Sequence, residues 1–353
     1  MLTSSLLFSV LASLTFVAAS PLFVRQTRSY PNPEPCTGNC TGGIHDPSVI
    51  KSPDGKWYRL STGGDIAIAS APSLTGPWEY LGAMLPGGPK IHVSDKQDTW
   101  APDVSLIDGI YYAFYAVSYI GFQDSQIGVA TSTTLEPGSW TDHGSLGIPL
   151  SKSYNLIDPN LFRESSSSPI YFSFGSAWDG VFQTTLDSST LALASTSSVN
   201  LASNSTVPPG QTWPSVTEGS YQFWWQVGSK KWYYLFFSSG ACCNVPPNLA
   251  EPGDEYKVMV CRSASQSGPF LDQAGRNCLT QNGGTLVLAS HGDVYAPGGQ
   301  GVLYDSTLKQ PVIYYHYGEL LFSKPRSLVN RKHSLQSSET EYWIRLEPVS
   351  IWV

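Results

Sequence analysis

One short phrase recurs along this chain, and its spacing constrains the fold more than any other feature. In five places a residue followed by Pro or Gly opens an apolar run: His45-Asp46-Pro47, Trp100-Ala101-Pro102, Ile157-Asp158-Pro159, Thr217-Glu218-Gly219 and Tyr295-Ala296-Pro297. The Pro or Gly positions of the first four copies are 55, 57 and 60 residues apart. A repeat of this length with about four short strands is typical of a β-propeller, in which identical units surround a central channel.

Each repeat contains short β-branched and aromatic runs separated by turn signals. In the first repeat, residues 48–50, 56–61 and 66–70 read as strands, and Pro53-Asp54-Gly55 reads as the turn after the first of them. We therefore predict an all-β fold, a five-bladed β-propeller, without a long helix. Its blades are predicted to start near Asp46, Pro102, Asp158, Glu218 and Pro297.

Three of the five copies carry an acid before the Pro or Gly, namely Asp46, Asp158 and Glu218. Proline biases the preceding residue toward extended conformations, so Asp46 is expected in extended backbone at the entry of a strand. One Asp-Pro alone is usually a turn residue. Three acids at one register, in a chain with only 13% charged residues, predict a functional cluster on one face of the channel.

Carboxylates that converge in a wide pit suit glycoside hydrolysis. One acid protonates the leaving oxygen, and an inverting enzyme keeps its base roughly 6.5 to 9.5 Å away so that a water fits between them. A third carboxylate raises the pKa of the acid by repulsion between like charges.

The two ends of the chain differ from the repeats. Residues 1–20 resemble a secretory signal peptide, because an apolar run at 6–17 is followed by small residues at 18–20 and is too short to cross a bilayer. Residues 21–43 are predicted to be an extended lead-in, and 44–353 a single propeller domain with an atypical end at 318–353. Within that end only residues 342–353 alternate like a strand. We expect a secreted, extracellular protein, and a net charge of −7 argues against nucleic-acid and membrane partners.

Six cysteines agree with export to an oxidising compartment. Cys261 and Cys278 flank one predicted hairpin end and are the expected pair. Adjacent Cys242 and Cys243 are expected not to pair with each other, because a trans peptide holds their Cα atoms closer than a relaxed disulfide prefers. Asn39 and Asn204 begin glycosylation sequons, so a glycoprotein is expected.

Several segments together resemble a known family. They are His45-Asp46-Pro47, Thr99-Trp100-Ala101-Pro102-Asp103, the stretch at 155–162, Glu218, Gly240-Ala241-Cys242-Cys243, and Arg262-Ser263 with Gly268-Pro269-Phe270. Over about 43–317 the sequence resembles the five-bladed propeller arabinanases of glycoside hydrolase family 43. The resemblance implies an inverting hydrolase of internal α-1,5-L-arabinofuranosidic bonds in arabinan. It implies Asp46 as general base, Glu218 as general acid and Asp158 as modulator of the pKa of that acid.

The substrate-binding residues expected from the sequence are Trp100, Asn155, Ser176 and Trp178. Trp100 is a candidate platform for a sugar ring, and a core aromatic is the alternative. The family often holds an axial metal ion with a histidine where this chain has Gln300. No metal is therefore expected to be required, although a hydrated calcium ion remains open. We expect a monomer whose partner is the polysaccharide arabinan.

Two alternatives remain open at this point. The first is an exo-acting arabinofuranosidase or β-xylosidase of the same family, with the same catalytic residues. The second is a carbohydrate-binding propeller without catalysis, which the presence of all three acids disfavours. Chromatography of the products from debranched arabinan distinguishes the three.

Overall fold

The structure is a computed structural model that describes Tyr30 and residues 33–34, 36–40, 43–206, 216–244, 248–319 and 342–348. The predicted signal peptide at 1–20 and most of the lead-in at 21–43 lie outside the described residues. The described residues after Tyr30 belong to one compact unit. Within the described ranges no helix has the length and apolar character needed to cross a membrane.

The described strands form five antiparallel sheets. The first contains β1 (Ser48–Lys51), β2 (Trp57–Ser61), β3 (Ala67–Ala71) and β4 (Glu79–Ala83). The second contains β5 (Asp98–Ile107), β6 (Ile110–Ser118), β7 (Gln126–Ser132) and β8 (Thr141–Ser145). The third contains β9 (Asn160–Phe162), β10 (Ile170–Phe174), β11 (Val181–Leu186) and β12 (Val199–Ala202). The fourth contains β13 (Val216–Val227), β14 (Lys230–Gly240), β15 (Lys257–Ser263) and β16 (Thr285–Leu288). The fifth contains β17 (Val294–Asp305), β18 (Gln310–Glu319) and β19 (Tyr342–Pro348).

The first strands of successive sheets lie side by side, from β1 to β5, β9, β13 and β17. The last sheet returns to the first, because Val312 and Tyr314 of β18 pack in one apolar cluster with Val49 of β1. A hydrogen bond of 3.0 Å from the backbone N–H of Asp46 to Nδ1 of His316 joins the same two sheets. This ring of sheets is an all-β propeller, as the sequence predicted.

The fifth sheet departs from the prediction of four strands in every blade. Among the described residues it contains three strands, and its outer strand β19 pairs with β18 from Gly318↔Tyr342 to Val312↔Pro348. The described part of the alternating stretch, residues 342–348, therefore forms a strand. Residues 320–341 of the atypical end lie outside the described residues.

The recurring phrase has a common backbone geometry that differs from the expectation. Asp46, Ala101, Asp158, Gly219 and Ala296 all lie in the left-handed region, with φ of 43°, 41°, 54°, 59° and 50°. The extended conformation expected for Asp46 is therefore wrong. Proline disfavours the right-handed helical region for the residue before it, and the chain makes its turn in the left-handed region instead.

The same geometry corrects the register of the three acids. In β5, β13 and β17 the pairing shifts directly after Trp100, Glu218 and Tyr295. The left-handed residue follows in each case, so Gly219, and not Glu218, is equivalent to Asp46 and Asp158. Glycine enters the left-handed region without a side-chain clash, which explains its place here. The prediction of three acids at one register was wrong by one residue for Glu218.

Three disulfides are present, Cys36–Cys40, Cys242–Cys243 and Cys261–Cys278, and no cysteine is free. The expected pair Cys261–Cys278 is confirmed. The expectation that Cys242 and Cys243 do not pair was wrong. Their Cα atoms are 3.8 Å apart and Cys243 has a φ of 67°, so a left-handed turn at Cys243 accompanies the pairing of the two neighbours.

Candidate active site

A cleft of about 590 Å³ opens among the loops that precede the first strands of the sheets. It is lined by all seven side chains that the sequence singled out, Asp46, Trp100, Asn155, Asp158, Ser176, Trp178 and Glu218. The structure thus brings together residues that are up to 172 positions apart in sequence. Their chemical roles remain predictions, and the geometry of each group bears on them.

Asp46 is held as an ionised carboxylate. Thr62 Oγ1 donates to Asp46 Oδ2 over 2.9 Å, and Nδ1 of His45 lies 2.7 Å from the same oxygen. Burial works against the charged form, but the charge and hydrogen bond of His45 outweigh it and hold the pKa of Asp46 well below its usual range. A carboxylate that stays ionised at any working pH can accept a proton from water.

Glu218 has the opposite electrostatic environment. Only 9% of the residue is exposed, and burial together with the charge of Asp46 raises the pKa of its carboxyl group. Ser176 Oγ donates to Oε2, and Tyr256 Oη donates to Oε1 over 2.9 Å. These two hydrogen bonds favour the ionised form and limit the rise in pKa. The net result is a carboxyl group that retains its proton to a higher pH than a solvent-exposed glutamate.

Asp158 lies beside the segment that carries Glu218. Its Oδ2 accepts the backbone N–H of Gly219 over 3.0 Å, which ties the Asp158 carboxyl to the residue after Glu218. Burial, and then repulsion from Glu218 and Asp46, raise the pKa of Asp158 well above its usual value. Asp158 and Glu218 therefore compete for protons as a coupled pair.

The remaining predicted binding residues form the walls. Asn155 is 3% exposed, and its Nδ2 donates to the carbonyl of Phe122 over 2.8 Å. Its Oδ1 is buried and accepts no hydrogen bond from any residue that the structure describes. Ala177 and Trp178 have left-handed φ values of 40° and 38°, so the loop that carries Trp178 is held in a costly conformation of the kind that clusters at functional sites.

Sequence reasoning missed three side chains in direct contact with the acids or their segment, and it missed one role of a residue that it had named. The side chains are Thr62, Tyr256 and His316, and the role is that of Ser176 as a donor to Glu218. His316 lies in the buried strand β18 and stacks on His45 with ring centroids 3.8 Å apart. A polar residue inside the apolar run Ile313-Tyr314-Tyr315-His316-Tyr317 was the one available signal. Nothing in the sequence marked Tyr256.

Gln300, and His45 with Asp46 and His316, are groups near the cleft that could hold a metal ion. Gln300 Nε2 donates to the carbonyl of Gly219 over 2.6 Å, and its Oε1 accepts from Ser238 Oγ over 2.7 Å. Both ends of this amide are therefore engaged by protein groups. His45, Asp46 and His316 offer three ligand atoms within 4.8 Å of one another, but two of them are nitrogens. Calcium prefers six to eight oxygen ligands, so neither arrangement fits it.

Comparison with known proteins adds to this geometry. Residues 40–341 match the family described as "Glycosyl hydrolases family 43". An arabinan endo-1,5-alpha-L-arabinosidase A of Aspergillus aculeatus is 48% identical over 86% of this chain and 91% of its own length. A protein of the same description from Aspergillus niger is 49% identical over 85% of this chain and 89% of its own. A solved endo-arabinanase from Bacillus licheniformis superposes with a TM-score of 0.69 at 25% identity, covering 89% of this chain and 96% of that one.

Proposed function

The chain belongs to glycosyl hydrolases family 43, and from that premise we propose that it cleaves internal α-1,5-L-arabinofuranosidic bonds of arabinan. Two curated relatives with almost half of their residues identical bear the name of this activity. The observation that carries the proposal is one cleft in which the pKa of Asp46 is lowered and the pKa of Glu218 is raised. Opposite shifts in two carboxyl groups of one cleft support the roles of base for Asp46 and acid for Glu218.

Asp46 acts as the general base in this mechanism. Its ionised carboxylate takes a proton from a water molecule that attacks the anomeric carbon of the bound arabinofuranose. Thr62 and His45 hold the carboxylate oriented and charged while it does so. Attack from the face opposite the leaving group inverts the anomeric configuration.

Glu218 acts as the general acid on the other side of the bond. Its raised pKa keeps the proton available, and transfer of that proton to the glycosidic oxygen releases the leaving sugar as an alcohol. Asp158 modulates this step, because the two carboxyl groups repel each other when both are ionised, so that the protonation of one depends on the other. Its hydrogen bond to Gly219 also orients the segment that carries the acid.

The cleft walls suit a furanose chain. Trp100 and Trp178 present half-buried rings for the C–H faces of sugars, and Ser176 is the hydroxyl bound to the acid. The buried Oδ1 of Asn155 is an acceptor for a substrate hydroxyl, because a buried acceptor without a partner costs about 1–3 kcal/mol until it is satisfied.

Other parts of the proposal concern the whole molecule. Each of the five sheets is taken as one blade, which gives five blades with a shorter fifth. Secretion, N-glycans at Asn39 and Asn204, a monomeric state and independence from a metal ion are also proposed. Asn39 is exposed to solvent, and Asn204 is half-buried at a turn.

Chromatography of the products from debranched arabinan tests the proposal. A mixture of short oligosaccharides in the first minutes is the expected result. Arabinose alone indicates an exo-acting enzyme of the same family, and no product indicates a binding protein. NMR of the first products is expected to show the β anomer, because α-linked substrate is inverted, and initial α product contradicts the base assigned to Asp46.

A further inference from the structure

The Cys242–Cys243 disulfide faces the cleft, yet it has no part in the mechanism above. It follows directly after β14, which ends at Gly240. A side chain at Gly240 would place its Cβ 2.4 Å from the carbonyl oxygen of Glu255, and the N–H of Ala241 donates to Asp254 over 2.8 Å. The backbone before the disulfide is therefore packed tightly against the opposite end of the β14–β15 loop.

The disulfide lies between the partners of the two catalytic carboxylates. Cys242 is half-buried in an apolar cluster with Tyr256 and Trp178, and the hydroxyl of Tyr256 donates to Glu218. On the other side, both sulfurs lie within 4.8 Å of a ring nitrogen of His45, the neighbour of Asp46. The two sulfurs thus line the same cleft as Asp46 and Glu218 and adjoin a neighbour of each carboxylate.

Cys243 is more exposed to solvent than either cysteine of the Cys261–Cys278 disulfide. Cys243 is exposed to solvent at the cleft, whereas Cys261 and Cys278 are 0% and 1% exposed. A disulfide lacks an N–H or O–H donor, and its sulfurs are soft and polarizable. Such a surface matches the C–H face of a furanose ring better than it matches hydroxyl groups.

We propose that the oxidised Cys242–Cys243 pair is a sugar-contact surface beside the scissile bond, and that it contributes to affinity and not to the chemical step. This inference rests on the proposed arabinan hydrolase function. In the oxidised state the two sulfurs form one rigid apolar edge above Tyr256 and Trp178. In the reduced state they become two thiols that rotate separately, each carries a weak donor, and the edge is lost.

Removal of the sulfurs tests the inference first. The double variant Cys242→Ser/Cys243→Ser is compared with Cys36→Ser/Cys40→Ser, which removes the other short-range disulfide and lies outside the cleft lining. For debranched arabinan and linear arabino-oligosaccharides, we expect the cleft variant to raise KM about tenfold, equivalent to ~1.4 kcal/mol, and to leave kcat within about twofold. The control variant should keep both constants of the wild type.

Reversible reduction of the wild-type enzyme is the second arm. One thiolate of dithiothreitol attacks exposed Sγ of Cys243, the S–S bond breaks and Cys242 leaves as a thiol. The second thiol of the reagent then closes its own cyclic disulfide and releases Cys243, so two electrons and two protons pass from reagent to protein. Thiol titration should detect two new thiols in the peptide that contains Cys242 and Cys243, and KM should rise as it does in the cleft variant. Reoxidation should restore the original KM.

The outcomes separate the inference from the function on which it rests. A wild-type enzyme that does not cleave arabinan overturns the proposed function and the inference together. A wild-type enzyme that cleaves arabinan, with KM unchanged in the folded cleft variant and on reduction, overturns the inference alone. If the cleft variant loses its native melting temperature, the reduction arm decides. A fall in kcat at constant KM also contradicts a role in affinity.

Discussion

Removal of one hydroxyl group should widen the pH range of this enzyme. Tyr256 Oη donates to Oε1 of Glu218 over 2.9 Å, and Tyr256→Phe deletes this hydrogen bond while the ring keeps its place in the apolar cluster beneath the cleft. The bond favours the ionised form of Glu218, so its loss raises the pKa of a carboxyl group that burial has already raised.

The size of the shift follows from the strength of the bond. Hydrogen bonds to charged groups contribute about 1.5–3 kcal/mol, and one pKa unit corresponds to about 1.36 kcal/mol. Ser176 still donates to the other oxygen, so we expect the lower end, ~1 pH unit. As the proposed acid, Glu218 works only while it is protonated, so activity should fall as pH rises through its pKa. The alkaline limb of the profile should therefore move to higher pH.

The assay is the pH dependence of kcat/KM on debranched arabinan, which reports groups of the free enzyme. Tyr115→Phe is the matched control, because Tyr115 Oη donates to Asp142 Oδ1 over 2.6 Å and lies outside the cleft lining. Its profile should keep both limbs. An alkaline limb that stays in place or moves to lower pH in Tyr256→Phe would refute the assignment of Glu218 as the acid.

Three further predictions concern the carboxylates and the metal. Asp158→Asn removes the negative charge that Asp158 carries when it is ionised, so the alkaline limb of the pH profile should move to lower pH and the rate should fall. A limb that does not move would mean that Asp158 and Glu218 are not coupled. Asp46→Ala should lower kcat by about 10² to 10⁴ on every substrate. Glu218→Ala should lower kcat far less on aryl arabinosides with a good leaving group than on arabinan, because such a group leaves without a proton. Equal losses of kcat for both variants on both substrates would contradict the two roles. Exhaustive dialysis against a chelator should leave kcat unchanged, because Gln300 is engaged at both ends, and activity restored only by added calcium would contradict this.

The class of fold was predictable because its signal is repeated. The recurring phrase lies at or near the start of every first strand. It directly precedes β1 and β9, whereas β5, β13 and β17 begin one or two residues before it. A strand that is uncertain in one unit is supported by the equivalent segments of the other units, because every unit must bury the same faces against its neighbours. The strand at 342–348 was visible from its alternation, but its pairing with β18 was not, because no repeat preceded it.

The register of Glu218 could not be read correctly from sequence. Aligning Gly219 with prolines placed the acid beside Asp46 and Asp158, but the shared property of these positions is a left-handed backbone and not the residue type. Glycine and a residue before proline meet that requirement by different means. Only the strand pairing shows that Glu218 is equivalent to Trp100 and Tyr295.

The side chains that set the pKa values were beyond sequence reasoning for another reason. Tyr256 is 38 positions from Glu218, and His316 is 270 positions from Asp46. The contact of Tyr256 with Glu218 is made within the fourth sheet and its loops, whereas the contact of His316 with Asp46 depends on the closure of the ring. Neither contact leaves a local periodicity. The sequence therefore predicted which carboxylates meet, but not which of their neighbours donate hydrogen bonds to them.

The first and last sheets of the propeller are connected at Asp46, the residue proposed as the catalytic base. The peptide N–H of Asp46 donates a hydrogen bond to Nδ1 of His316 in β18, so the residue proposed to activate water also connects the first and last sheets. When this hydrogen bond between the first and last sheets breaks, the carboxylate of Asp46 loses its orientation even if every sheet remains intact. Residual activity during heating should therefore be proportional to the fraction of molecules in which the ring of sheets is closed. Inactivation should precede the loss of β-sheet signal. Each activity measurement on this enzyme therefore also reports the fraction of molecules whose ring of sheets is closed.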